Sequence, residues 1–431
     1  MTPRQRGRGG RRPRQGTPRG RTPQGEPREG ERLTLDVGDV AHGGHCVARH
    51  DGQVVFVRHA LPGEQVVAVV TSGTTRSKFL RADAVEILSP APERRTSPCP
   101  YSGPGACGGC DWQHTSPEFG RELKARVVRE QLRRLAGLDL PVVVEPVPGD
   151  REGQRWRTRV ELAVGAGQRA GMRPHRSHDV IPVEDCLIAD EQIASSGVLQ
   201  RIWEPGVHGV DMVHSSTDEL VAVPLPVSGA APTVTEQVDL DHGPVRLQVS
   251  ARGFWQVHPG AARTFVQHVL DELDVQPGEQ ALDLYAGVGL FTVALAARTG
   301  DGGRVIGVEG DRQAVVDGQY NVQSLPQAVL ERGDVERWLG QEAAPQTADV
   351  IVLDPPRAGA GREVMAAVTA RRPRAVAYVA CDPAALARDL AYAAEHGYAV
   401  RSIRAFDAFP MTHHVECVAV LEPAPRSTAE S

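Results

Sequence analysis

Cys99, Cys107 and Cys110 are separated by seven and then two residues, and Cys186 follows far downstream. Thiolates at this spacing repel one another unless a cation lies between them. A fourth sulfur completes an all-cysteine site for an iron–sulfur cluster or for zinc, and spacing does not choose between the two. The plainer reading is four thiols with no metal. Cys381 differs: it sits in Tyr378-Val379-Ala380-Cys381-Asp382-Pro383, where an apolar strand meets a loop. A structural cysteine usually lies within an apolar run, so this placement favours a nucleophile. In His413-His414-Val415-Glu416-Cys417-Val418, strand alternation puts His414, Glu416 and Val418 on one face and Val415 and Cys417 on the other. A carboxylate there can serve as a general base, whereas Cys417 packs in the core.

These residues need a scaffold. From about residue 256 strands and helices alternate. Ala281–Tyr285 reads as a strand, Gly287-Val288-Gly289 as a turn, Phe291–Arg298 as a helix and Val305–Glu309 as the next strand. Asp349–Leu353, Ala375–Val379 and Val415–Leu421 are further strands. The pattern predicts a doubly wound, Rossmann-like α/β domain with a mainly parallel sheet. Glycines let the backbone approach a ligand, and an acidic residue about 20 positions on, here Glu309, can hold ribose hydroxyls. Thr292 replaces the third glycine of the dinucleotide fingerprint. A ligand without pyrophosphate, such as S-adenosylmethionine, is therefore favoured over NAD. Asp354-Pro355-Pro356-Arg357 follows an apolar strand, so Asp354 lies at a carboxyl end, where open sheets bind ligands.

Upstream, Leu33–Val37, Gln53–Val57, Glu64–Val70 and Ala84–Leu88 read as strands of a small OB-type barrel, a fold that binds nucleic acid. Residues 91–120 are irregular, 117–137 helical, and 141–250 mostly strands. Residues 1–30 carry nine Arg against two Glu, a net +7 that leaves −13 for the rest of the chain. Such a segment buries too little to fold alone and reads as a disordered arm adding phosphate contacts. The expected layout is an arm at 1–30, the barrel at 31–90, a β-rich Cys-containing RNA-binding domain at 91–255, the α/β domain at 256–424 and a disordered tail at 425–431. No apolar run is long enough for a membrane span and no signal peptide is apparent. The seven cysteines favour a reduced, cytoplasmic protein.

Taken together, Cys107-Gly108-Gly109-Cys110-Asp111-Trp112-Gln113-His114, Phe254-Trp255-Gln256-Val257-His258-Pro259, Asp283-Leu284-Tyr285-Ala286-Gly287, Leu353–Arg357, Cys381-Asp382-Pro383 and His414–Cys417 resemble the RNA 5-methyluridine methyltransferases. Residues 31–90, with Ala60-Leu61-Pro62-Gly63-Glu64, look like a TRAM domain. The resemblance implies methylation of uracil C5 in tRNA or ribosomal RNA. It implies Cys381 as nucleophile and Glu416 as base, with Gln256, Tyr285, Glu309, Asp334 and Asp354 lining the S-adenosylmethionine site. It also implies a [4Fe–4S] cluster on Cys99, Cys107, Cys110 and Cys186, zinc being the alternative. The first cysteine interval is longer than the five residues common in cluster-bearing relatives, and Leu290 stands where some relatives carry a polar cofactor contact. The implied route is addition of the Cys381 thiolate at C6, methylation at C5, proton removal by Glu416 and release of Cys381, with a lowered thiol pKa. Two alternatives stay open: methylation of another base atom (cytosine C5 or adenine N6), and a non-catalytic metal-bearing RNA-binding protein. RNA is the expected partner, with no membrane and no obligate protein partner.

Overall fold

The computed structural model describes residues 25–425. The arm up to residue 24 and the tail from residue 426 lie outside them. Residues 27–30, read above as part of the arm, instead join the barrel: Arg28 N–H donates to Gly73 O at 3.1 Å and Gly30 N–H to Val70 O at 2.9 Å.

Five strands form the N-terminal sheet: β1 (Arg32–Asp36), β2 (Cys46–His50), β3 (Gln53–Arg58), β4 (Gln65–Ser72) and β5 (Phe79–Ser89), in the order β1-β4-β5-β3-β2. Sequence reading missed β2. Bonds from Gly38 N–H to Val47 O (2.7 Å) and from Val47 N–H to Asp39 O (3.0 Å) join the end of β1 to β2 across the remaining gap. Alternate residues point inward, among them Leu33, Leu35, Val66, Ala68, Leu80 and Val55, as a pleated strand requires. Trp112 and Leu123 complete this core from outside the barrel.

Helix α1 (Pro117–Gln131) starts where Ser116 accepts the Phe119 N–H and Pro117 sets the first turn. It ends in a wider π-turn over Leu132–Ala136, stopped by Gly137 in the left-handed region. Strand β6 (Val144–Pro146) follows. Next come β7 (Arg159–Val164), β8 (Ala170–Met172), β9 (Ile181–Pro182), α2 (Glu191–Ser195), β10 (Gly209–His214) and β11 (Leu220–Leu225). These strands make an antiparallel sheet ordered β11-β10-β7-β8-β9. A hairpin, β12 (Thr233–Leu240) and β13 (Gly243–Ser250), stands apart from it.

The last region runs α3 (Ala261–Leu273), β14 (Gln280–Leu284), α4 (Leu290–Thr299), β15 (Arg304–Glu309), α5 (Arg312–Val322), β16 (Ala328–Arg332) and α6 (Val335–Leu339). It continues with β17 (Val350–Leu353), α7 (Gly361–Ala370), β18 (Ala375–Ala380), α8 (Pro383–Glu395), β19 (Tyr398–Asp407) and β20 (Glu416–Pro423). Its eight-stranded sheet is ordered β16-β15-β14-β17-β18-β20-β19-β6. The first five strands are parallel, and β20 runs antiparallel to both neighbours. The fold is thus the expected doubly wound α/β domain behind a barrel and a β-rich centre. The division read at residue 255 is crossed, however. Strand β6 pairs with β19, and the apolar side chains of the β12–β13 hairpin pack with those of α3. Leu282, Leu284, Ile351 and Leu353 face one apolar layer and Ala281, Val350 and Val352 the other, so the central strands are buried on both sides.

Candidate active site

Strand order reverses between β14 and β17, the point at which doubly wound sheets open a crevice beyond the strand ends. A cavity of 680 Å³ lies there. All seven residues read from sequence as catalytic or cofactor-binding line it: Gln256, Tyr285, Glu309, Asp334, Asp354, Cys381 and Glu416.

Gln256 lies in the loop between β13 and α3, and the other six are placed by the ends of elements. Tyr285 follows β14 with φ 64°, an uncommon backbone region for a residue bearing a side chain. Gly287, φ 55°, comes two residues later, and a Cβ there would meet no protein atom within 4 Å. Its backbone borders open space inside the cavity wall. Glu309 closes β15, and its carboxylate takes the Gly287 N–H at 2.9 Å and the Asp311 N–H at 2.7 Å. The acidic residue read as a ribose contact therefore also fixes the glycine turn. Thr292, the departure from the dinucleotide pattern, donates to the buried Asp283 at 2.6 Å. Asp334 caps α6 through the Arg337 N–H at 3.1 Å.

The two catalytic candidates come from neighbouring antiparallel strands. Ala380 pairs with Cys417 in the β18–β20 ladder. Cys381 and Glu416 are the next residues beyond that pair, and both line the cavity. Beyond Cys381, Asp382 starts α8 by accepting the Ala384 and Ala385 N–H groups at 3.0 and 2.8 Å.

Electrostatics correct one expectation. The Cys381 thiol is not lowered: burial, then the nearby Glu416 and Asp354 carboxyls, push it up to about 12, against the opposing pull of Arg357. Burial likewise raises Glu416 well above the usual carboxyl range, with Asp354 adding to the effect. Asp354 itself rises to about 7, through burial and then the charges of Asp283 and Glu309. The site gathers three groups whose charged forms burial disfavours, beside a single guanidinium.

Sequence reading missed Phe254, Arg357, Phe409 and His414 as cavity residues, and set Leu290 aside; all five line it. Phe254 is 72% exposed, unusual for a phenylalanine. The available signal was its position beside Trp255-Gln256 in a quoted motif.

The four cysteines of the predicted metal site come together elsewhere. Cys99, Cys107, Cys110 and Cys186 ring a cavity of 40 Å³. Gly109 N–H donates to Cys107 Sγ at 3.4 Å. Burial, reinforced by the neighbouring sulfurs, pushes Cys110 up to about 12. Among the described residues no group of three or more His, Cys, Asp or Glu side chains is arranged to hold a metal ion. No helix among them is long and apolar enough to cross a membrane.

Comparison with known proteins agrees with this architecture. The tRNA (uracil-5-)-methyltransferase family model matches residues 231–424, and the TRAM domain model residues 27–85. An RNA methyltransferase of Streptomyces avermitilis is 47% identical over 92% of this chain and 99% of its own length. A 23S rRNA (uracil(1939)-C(5))-methyltransferase of Alkalilimnicola ehrlichii is 33% identical over 91% of this chain and 97% of its own. In fold, the chain is similar to the Pyrococcus abyssi tRNA (uracil-54, C5)-methyltransferase solved with S-adenosyl-L-homocysteine. That likeness has a TM-score of 0.68 at 21% identity, covering 90% of this chain and all of that one. Full-length similarity, the family match and a cavity at the sheet's switch point lead to one conclusion: the chain belongs to the RNA uracil-5-methyltransferase family and is an RNA methyltransferase.

Proposed function

We propose that this protein methylates C5 of a uridine in structured RNA, ribosomal or transfer, through a covalent adduct between Cys381 and uracil C6. The observation that carries the reading is that Cys381 and Glu416, the residues next to the paired Ala380 and Cys417 on adjacent strands, both line the cavity that holds Tyr285, Glu309 and Asp354. The cavity fits S-adenosylmethionine by volume, by the open backbone at Gly287 and by the Glu309 carboxylate. When bound, S-adenosylmethionine supplies an electrophilic methyl carbon. Uracil C5 is too weak a nucleophile to take it unaided. The Cys381 thiol gives its proton to solvent, and the thiolate forms a bond to C6 as the C5–C6 π bond breaks, which moves that electron pair to C5. After C5 is methylated, Glu416 takes the C5 proton, the sulfur–C6 bond breaks and the C5–C6 double bond returns. Cys381 and Glu416 share the cavity with Asp354 and Arg357, so their ionisation follows the charge brought into it. Exposed Phe254 at the mouth offers a stacking face for a base turned out of its helix.

The same proposal places a [4Fe–4S] cluster on Cys99, Cys107, Cys110 and Cys186. The donor set fits: four half-buried thiols face one small cavity, one already accepting a backbone N–H. Zinc, which takes four sulfurs at about 2.3 Å from one point, is the alternative occupant of the same residues. A cluster would cross-link the two cysteine-bearing segments and offer one-electron redox capacity. Seven free thiols suit the reducing cytoplasm.

The test is incubation with labelled S-adenosylmethionine and total RNA, ribosomal RNA first, followed by nucleoside analysis. Label in 5-methyluridine is the expected result. Label confined to 5-methylcytidine or N6-methyladenosine, or activity that survives Cys381→Ala, overturns the reading.

A further inference from the structure

The barrel does more than sit beside the catalytic domain: it touches the residue next to the nucleophile. His42 lies in the loop between β1 and β2. Its Nε2–H donates to Asp382 Oδ2 at 2.9 Å. The other oxygen of Asp382 is the one that caps α8. The carboxylate beside Cys381 is therefore held twice, once by its own helix and once by the barrel.

Two residues on, the same loop reaches the segment leading into Glu416. A Cβ on Gly44 would stand 2.6 Å from the Cβ of His413, and Gly44 has φ 80°. Only glycine permits that approach in that conformation. From the other side, Asp111 Oδ2 accepts the His413 Nδ1–H at 2.6 Å, and its second oxygen accepts from Arg58 of β3 at 3.4 Å. A cleft of 120 Å³ between the loop and the catalytic strands is lined by His42, Gly44, Arg357, Cys381, His413 and His414. Cys381, Arg357 and His414 also line the large cavity. The nucleophile stands in the wall between two spaces, and the barrel builds the far one.

We propose that His42 is a positioning residue for Cys381: its bond to Asp382 fixes the loop that carries the sulfur, so that docking of the TRAM barrel and placement of the nucleophile are one event. The proposal rests on the reading of Cys381 given above. The contact is poorly suited to a stability role. The His42 side chain is 43% exposed and that of Asp382 22%, and exposed pairs contribute only about 0–1 kcal/mol. Geometry is more sensitive, since a displacement of about 1 Å at a reacting atom can cost up to about 100-fold in rate. Losing His42 leaves the α8 cap intact and frees only the second oxygen, so the fold survives while the loop relaxes.

The experiment compares the full-length protein with His42→Ala and His42→Gln, the glutamine amide being able to donate to Asp382 in place of the imidazole. Three quantities are read: methyl transfer in a single turnover at saturating RNA, the RNA dissociation constant, and the rate of Cys381 alkylation by an uncharged maleimide, located by mass spectrometry. For His42→Ala the expected result is methyl transfer slowed about tenfold with RNA affinity within about twofold, and an altered alkylation rate. His42→Gln recovers most of both. Weakened RNA binding with an unchanged saturating rate would make His42 an RNA contact and overturn the proposal. Unchanged methyl transfer and alkylation would overturn it too. Should the unsubstituted protein form no 5-methyluridine, the uracil reading falls, and the alkylation comparison still decides the link from His42.

Discussion

Two of the cavities among the described residues are built in opposite ways, the large one at the sheet ends and the small one ringed by cysteines. The 680 Å³ cavity is walled by the ends of sheet strands: Tyr285 after β14, Glu309 closing β15, Asp354 after β17, Cys381 after β18 and Glu416 opening β20. Those strands are joined by continuous ladders and buried on both faces. The 40 Å³ cavity is ringed by loops. Its backbone links are isolated bridges, Ser102 with Cys107 and Cys107 with Pro174. Single backbone bonds, such as Arg157 N–H to Ile188 O at 2.7 Å, and side chains add to these: Tyr101 accepts the Glu184 N–H at 3.0 Å, and Arg155 grips Asp185 through two bonds of 2.8 Å. A sheet holds its rim whatever stands there. Loops hold a site only as well as their side chains hold them. Loss of a rim residue should therefore strike chemistry in the first cavity and stability in the second.

The largest effect tests the first half. Cys381→Ala should lower methyl transfer by about 10⁴-fold or more, with the thermal midpoint essentially unmoved. Glu416→Gln should accumulate a covalent RNA adduct on a denaturing gel. No adduct with a competent RNA removes Glu416 as the base, and a large drop in midpoint for Cys381→Ala breaks the comparison itself.

Cys186→Ser tests the second half. Anaerobically purified protein should be brown, with broad visible absorption, and the substitution should abolish the colour. Because metal binding free energy is folding free energy for a site built of loops, several kcal/mol of stability should go with it. A colourless protein with stoichiometric zinc refutes the cluster. A brown protein whose stability ignores Cys186→Ser refutes the claim that these loops lean on their sulfurs.

The contrast also explains what could be read from sequence. Glu309, Asp354 and Cys381 announced themselves because each closes or follows an apolar strand, and Glu416 by the alternation of its strand, whereas Gln256, Tyr285 and Asp334 were legible only through the family resemblance. The Gly287 turn and the face alternation of β20 are local signals; Cys417 and Glu416 fall on opposite faces as the period requires. Elements whose place depends on distant partners were not legible. Val144–Pro146 is three residues long and becomes a strand only by pairing with Ala405–Asp407. Strand β19 hides its period behind an irregularity between Val400 and Ser402. His42 carried no signal, since nothing local says that a barrel loop meets α8. The ionisation of Cys381 was misjudged for the same reason: the burial that raises it, and then the two carboxyls beside it, come from other strands.

A third test asks whether the catalytic rim relies on the sheet alone. Lys124 of α1 is buried, and its Nζ donates to Asp407 at 2.5 Å and to Phe409 O at 3.0 Å, where β19 gives way to the loop leading to His414. Lys124→Met leaves a buried carboxylate unpaired, which should cost about 3–5 kcal/mol. Adding Asp407→Leu should recover much of that in denaturant unfolding. A neutral Lys124→Met would show that the rim needs no such anchor and would sharpen the contrast with the cysteine loops.

The smallest effects concern protons, and their signs follow from the same burial. With its thiol near 12, Cys381 should be alkylated about tenfold faster for each pH unit between 7 and 9, because only the thiolate reacts. A rate that levels off near pH 7 would mean a lowered thiol and would return the original expectation. The carboxyls act in the other direction. Asp354 and Glu416 bind protons more tightly in the folded chain than unfolded. Their contribution is full below the ordinary carboxyl pKa of about 4 and is lost as pH rises through the folded value, about 7 for Asp354. Asp354→Asn has no such proton to lose, so its stability relative to the parent should rise between pH 5 and pH 8. A relative stability that stays flat across that interval would mean that Asp354 is solvated and charged at the end of its strand.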